Sequence, residues 1–280
     1  MRRDDAPLWA KDPLGFLTTL GKGSDSGFDA GAAALAFAAI DQPKAAHGRY
    51  LDHLDKLAEA VSLLPAHDAN AQILALSQII YKEFGYAGDT RTYDDLQNAS
   101  LIRVIDRKKG LPVSLGILHM SVAYRLDWSI VGLSFPSHFL LRVEACGAHL
   151  HVDPFDGGQI LSAADMRRLL KNMQGPDAEL TAEHYQPVSD RAVLLRLQNN
   201  IKLRRLHAGD IKGALRASEA MVAFAPEMTG LIREIAMMHM RLENIGDAIQ
   251  HFEIYLDAEP NEALRHKVSS LLQELKNRLN

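Results

Sequence analysis

Cysteine is nearly absent from this 280-residue chain: Cys146 is the only one. A single thiol excludes an intrachain disulfide and the common structural zinc sites built on two to four cysteines, and it fits a reducing compartment. Long apolar runs are missing as well. No stretch approaches membrane-spanning length, and the opening MRRDDAPLWAKDPLG lacks an apolar core of signal-peptide size. The expectation is a cytoplasmic protein with no membrane partner. Nor is there an excess of positive charge: 31 Lys and Arg stand against 35 Asp and Glu, a net charge of -4. Nothing in that balance favours nucleic acid or an anionic membrane. The run Arg107, Lys108, Lys109 reads as a solvated helix end. The glycine pair Gly157–Gly158 is not followed by Lys-Ser/Thr, so no phosphate loop and no cofactor is expected.

What is present divides along the chain. Residues 1–25, Gly-, Ser- and Asp-rich around GKGSDSG, read as a flexible arm. From Gly27 to Tyr81 apolar residues recur at helical spacing, predicting about three helices separated by Pro43 and Pro65. A short helix follows in LQNASLIRVIDRK. In GLPVSLGILHMSVAYRL, Ser114 stands where an N-cap is expected before an apolar helix ending at Leu126. The period then changes to that of strands in WSIVGLSF, HFLLRVE and HLHVDPF, the last two joined through ACGA. With the turn centred between Ala145 and Cys146, His138 lies opposite Asp153, their β-carbons about 4.5–5.5 Å apart on one face. The same register puts Arg142 beside His149. After a loop, Ser162 caps another helix. From Arg191 the pattern is helical, and Ala214 and Pro226 return as Ala248 and Pro260, 34 residues later. Ala236, Ala248, Phe252 and Pro260 occupy the small, small, aromatic and proline positions of a tetratricopeptide repeat, the first copy being degenerate.

The order is a polar residue at a helix start, a histidine at a strand start and an aspartate at the next strand's end. It resembles the transglutaminase-like superfamily, related in plan to papain-type enzymes. GLPVSLGILHMSVAYRL, FPSHFLLRVE and HVDPFDGG resemble its bacterial SirB-type branch, in which that domain precedes tetratricopeptide repeats. The resemblance implies an α+β fold: a helical N-terminal layer, a transglutaminase-like core with a small antiparallel sheet over residues 26–190, and helical repeats over 191–280. It also implies a site made by a helix-borne nucleophile, His138 and Asp153. Where the superfamily carries cysteine, this chain offers Ser114, or Val113 one position earlier, and Cys146 falls in the hairpin.

Three functions follow. A degenerate enzyme would bind a peptide or protein segment without turning it over, and this reading leads, because the thiol is missing while the His/Asp pair and a repeat tail are present; helix capping by itself accounts for Ser114. A serine acyltransferase or amide hydrolase would use Ser114 as nucleophile, His138 as base and Asp153 to fix the imidazole tautomer. A purely structural protein would leave the His/Asp pair inert. A fourth arrangement, His149, His151 and Asp153 alternating on one strand face, has metal-ligand chemistry but more often marks a solvated face, so no metal is expected.

Overall fold

A computed structural model describes residues 8–259 and 261–279. Part of the segment expected to be an arm is helical: α1 (Leu8–Lys11) and α2 (Pro13–Gly21) bury Trp9 and Leu17. Gly, Ser and Asp at 21–27 describe only the connection that follows, and two apolar anchors just before it hold the preceding turns. The three expected scaffold helices are α3 (Ala30–Asp41), α4 (Gly48–Ser62) and α5 (Ala69–Ser77). Asp29 and Asp68 cap α3 and α5 by accepting from the N–H of Gly31 and Ala71. α5 continues into a π-helical turn, Gln78–Glu83. Next come β1 (Ala87–Gly88), a 3₁₀ turn at Leu96–Ala99, α6 (Leu101–Arg107) and β2 (Lys109–Gly110), with β1 and β2 pairing in parallel.

The centre is α7 (Pro112–Leu126), whose first twelve residues are all buried. An all-round apolar helix must be enclosed. A five-stranded antiparallel sheet packs on it: β3 (Ser129–Leu133), β4 (Leu141–Ala145), β5 (Ala148–Asp153), β6 (Gln159–Leu161) and β7 (Pro187–Val188), in the order β6-β5-β4-β3-β7. α8 (Ala163–Gln174) starts at Ser162 as expected, through a capping box with Asp165. Its Met166 and Leu170 join Leu133, Phe135 and Leu140 in one apolar cluster.

α9 (Asp190–His207), α10 (Ile211–Phe224), α11 (Thr229–Arg241), α12 (Ile245–Ala258) and α13 (Glu262–Leu279) follow. The chain divides into two compact units, one containing Ser24–Leu197 and the other Leu17–Gly23 with Gln198–Asn280. In the second, Ala214, Ala236, Ala248 and Phe252 are fully enclosed, the small residues letting paired helices approach. Pro260, the later of the two repeat prolines, lies outside the described residues. No described helix is long and apolar enough to cross a membrane.

Candidate functional site

Ser114 does not cap α7. Pro112 takes the first helical position, where its missing N–H costs nothing, and Leu111 becomes the cap residue. Ser114 therefore lies inside the first turn and is completely buried. Its hydroxyl has backbone acceptors at 2.8 Å, the carbonyl of Asn98, and at 3.0 Å, the carbonyl of Leu111. One proton serves both. The approach is tight because residue 110 is glycine: a Cβ there would lie 2.5 Å from the Ser114 oxygen. No hydrogen bond joins Ser114 to His138 among the described residues.

His138 and Asp153 do meet. Nε2 of His138 lies 2.9 Å from each Asp153 oxygen, and both residues are about 5–6% exposed. They are not directly opposed, however. The hairpin turns on Cys146 and Gly147, at φ 52° and 76°, as a two-residue turn with both residues left-handed requires, so Ala145 pairs with Ala148 and Leu141 with Val152. This displaces the pairing by two residues from that expected. An even displacement keeps every side chain on its own face, which is why the contact survives. Arg142 consequently faces His151 rather than His149. His138 itself precedes β4, in a bend where Ser137 has φ 60°.

Neighbours position that bend. The Phe139 ring is wedged against Gly116 of α7 and Gly132 of β3, where added β-carbons would lie 2.3 Å and 2.9 Å from it. Arg196 donates to the carbonyls of His138, at 2.6 Å, and Phe135, at 3.2 Å. Asp153 also accepts from the N–H of Phe155 at 2.8 Å and, more weakly, of Asp156 at 3.4 Å. With Nε2–H turned to the carboxylate, the neutral imidazole carries its lone pair on Nδ1, to which no described residue bonds. Chemically, that is a proton acceptor oriented by an acid.

An aromatic rim lies beside it. Phe155 packs edge-on at 6.1 Å from the His138 ring and 5.8 Å from that of Tyr93, which is exposed. Gly88 makes room for Phe155, since a Cβ at 88 would lie 2.6 Å from it. Asp89, buried, organises the loop bearing Tyr93: it accepts from the N–H of Arg91 and Thr92, the Thr92 hydroxyl and Arg107. The Thr92 bonds above all hold its carboxyl far below the usual carboxylate range. A depressed carboxyl stabilises the fold above its unfolded-state value, about 3.9, and that contribution fades as pH falls through the folded-state value. Asp89→Asn is thus expected to be less stable than wild type at neutral pH, with the gap closing below about pH 4, as read by urea unfolding in a pH series. An unchanging gap would refute the assignment.

Against this geometry the comparisons are specific. The model of the transglutaminase-like superfamily matches residues 48–199, more than half the chain. The chain belongs to the transglutaminase-like superfamily. A tetratricopeptide-repeat model matches residues 201–273. A UPF0162 protein of Vibrio cholerae is 30% identical over 75% of this chain and 80% of its own length. Protein SirB1 of Salmonella typhimurium and the UPF0162 protein YchA of Escherichia coli are each 26% identical, over 80% of this chain and 83% of theirs. The chain is thus a SirB-type protein: a transglutaminase-like domain followed by tetratricopeptide repeats, which generally mediate protein–protein interaction.

For a member of this superfamily the missing thiol is the main departure. Cys146 is exposed in the turn, its thiol donating to the His67 carbonyl at 3.1 Å. The His149 and His151 rings lie 5.7 Å apart, with His151 also against Tyr185, while Asp153 is engaged by His138. No group of three potential ligands able to hold a metal occurs among the described residues.

Three contributors had no usable signal. Arg196 and Tyr93 are distant in sequence from His138 and lie in segments that read as ordinary helix and turn. Tyr81, in the π-helical turn, donates to the Pro154 carbonyl at 2.6 Å and approaches His119 Nε2 at 3.3 Å. His119, which read as background in an apolar helix, has its pKa pushed down to about 4 by burial and donates through Nδ1 to the Leu115 carbonyl at 2.9 Å. Buttressing of the loop after Asp153 from this side depends on the π-turn, which helical periodicity does not reveal.

Proposed function

We propose that this protein is a cytoplasmic binding or regulatory module that recognises a peptide or protein segment through the His138/Asp153 site and its helical repeats, without turning it over. The observation that carries this reading is Ser114: wholly enclosed, its hydroxyl proton is committed to the carbonyls of Asn98 and Leu111. A serine nucleophile needs that proton directed at its base. The repeat unit supplies a second contact surface, a hollow of about 500 Å³ whose walls include exposed Leu203 and Met237 with Lys202, Arg233 and Arg241. Methionine-bearing apolar walls accommodate varied partners.

The alternative, a serine acyltransferase or amide hydrolase, has one feature in its favour, the Asp153-oriented imidazole with Nδ1 unengaged. A serine-directed fluorophosphonate probe separates the two. Neither wild type nor Ser114→Ala is expected to be labelled; labelling of wild type that Ser114→Ala abolishes would overturn the binding reading. In parallel, peptides selected on the full-length protein should bind more weakly to His138→Ala, and retention of every ligand would remove His138 from the recognition site.

A further inference from the structure

The run Arg107–Lys109, which reads as a solvated helix end, holds for Lys109 alone. Arg107 turns inward to Asn98 and Asp89, and Lys108 is half-buried in a cluster of its own. Lys108 ends α6 in the left-handed conformation, φ 59°, where glycine is the usual residue. Its Nζ lies 3.1 Å from His53 Nε2 and 3.2 Å from the Tyr86 hydroxyl, and those two groups are 2.7 Å from each other. The amine sits 4.4 Å above the Tyr86 ring and 6.0 Å from that of Phe84.

Among the described residues no carboxylate is hydrogen-bonded into this cluster. Asp106, two residues before Lys108, is occupied by Arg49 at 2.5 Å and by the Tyr50 hydroxyl at 3.1 and 3.2 Å. From α4, Lys56 adds positive charge near His53. The surroundings therefore disfavour extra protons. Burial lowers the Lys108 pKa, with Asp106 opposing it, and burial together with Lys108 and Lys56 takes His53 down to about 4. An imidazole neutral at physiological pH and a phenol that burial keeps protonated stand beside the amine. This arrangement resembles a nucleophile with its base and acid more than an anchored surface cation.

We propose that Lys108 is a reactive amine and a site of acylation by acyl thioesters. Free Nζ adds to the thioester carbonyl carbon, forming the C–N bond. The C–S bond then breaks with its electron pair, and sulfur departs as a thiolate. His53 takes the proton that nitrogen loses and passes it to the thiolate, while the Tyr86 hydroxyl donates to the carbonyl oxygen as charge develops. The products are N-acyl-Lys108 and a free thiol, with nothing oxidised or reduced. Acylation removes the charge above Tyr86 and leaves a single amide N–H in place of the amine's donors to His53 and Tyr86.

The test treats the full-length protein with an acetyl thioester of glutathione and follows acetylation at Lys108 and Lys109 by mass spectrometry, with fragment ions resolving the neighbours. Exposed Lys109 is the internal reference. Lys108 is expected to react several-fold faster, with its rate levelling off at lower pH than that of Lys109. Tyr86→Phe and His53→Gln, each checked for folding by circular dichroism, should slow Lys108 while leaving Lys109 unchanged. A Lys108 rate no higher than that of Lys109, or one that both variants leave unaltered, would overturn the proposal and return the cluster to a cation–π anchor.

Discussion

Phe139→Ala is expected to cost the transglutaminase-like unit about 3–5 kcal/mol, the usual range for removing a buried aromatic side chain. The ring is 1% exposed and fills the space left by two glycines on different elements, Gly116 and Gly132. Neither glycine can grow a side chain to close the gap, so the cavity would remain between α7 and β3. Because Phe139 follows His138 directly, the same substitution should loosen the bend that aims the imidazole. Urea unfolding measures the first effect. A loss below about 1 kcal/mol would mean the site collapses easily and that the ring is not what holds sheet to helix.

A second large loss is expected from Asp153→Ala. Its carboxylate receives His138 Nε2–H, the N–H of Phe155 and, at longer range, that of Asp156. Each buried donor left without a partner costs about 1–3 kcal/mol, so a total of about 2–6 kcal/mol follows for the two close ones. Asp153→Asn, which keeps one carbonyl oxygen, should recover part of this. The comparison bears on function as well as stability. If Asp153→Asn folds like wild type yet loses the peptide ligands that wild type binds, the pair does more than satisfy buried polar groups. If the two proteins bind alike, the inert-pair reading stands.

Much of this architecture was legible because the signals were local. Ser162 and Asp165 are three residues apart and form the capping box by themselves. Ala214 and Ala248 repeat because each lets its helix approach a neighbour, a requirement tied to one position in the repeat. The meeting of His138 and Asp153 was legible too, although through a pairing two residues in error. Strand side chains alternate with period two, so parity, which the sequence pattern does carry, outweighs exact register. Less visible were decisions made by competition. Ser114 has excellent capping chemistry, yet Pro112 two residues earlier starts the helix and draws the serine inside. β7 consists of only Pro187 and Val188, which read as a strand solely because β3 is there to pair with them.

From the sequence by itself came the class of the fold, the succession of helices, strands and repeats, and the facing of one imidazole toward one acid, all consequences of residue type and short spacing. Tertiary structure alone decided which hydroxyl proton is spent on backbone carbonyls, which arginine grips the bend before β4, and which two of three consecutive cations turn away from water. Those outcomes depend on partners beyond the reach of a local pattern, 16 residues away for Ser114 with Asn98 and 58 for Arg196 with His138. Chain entropy makes such partners invisible to any local pattern until the core has closed around them.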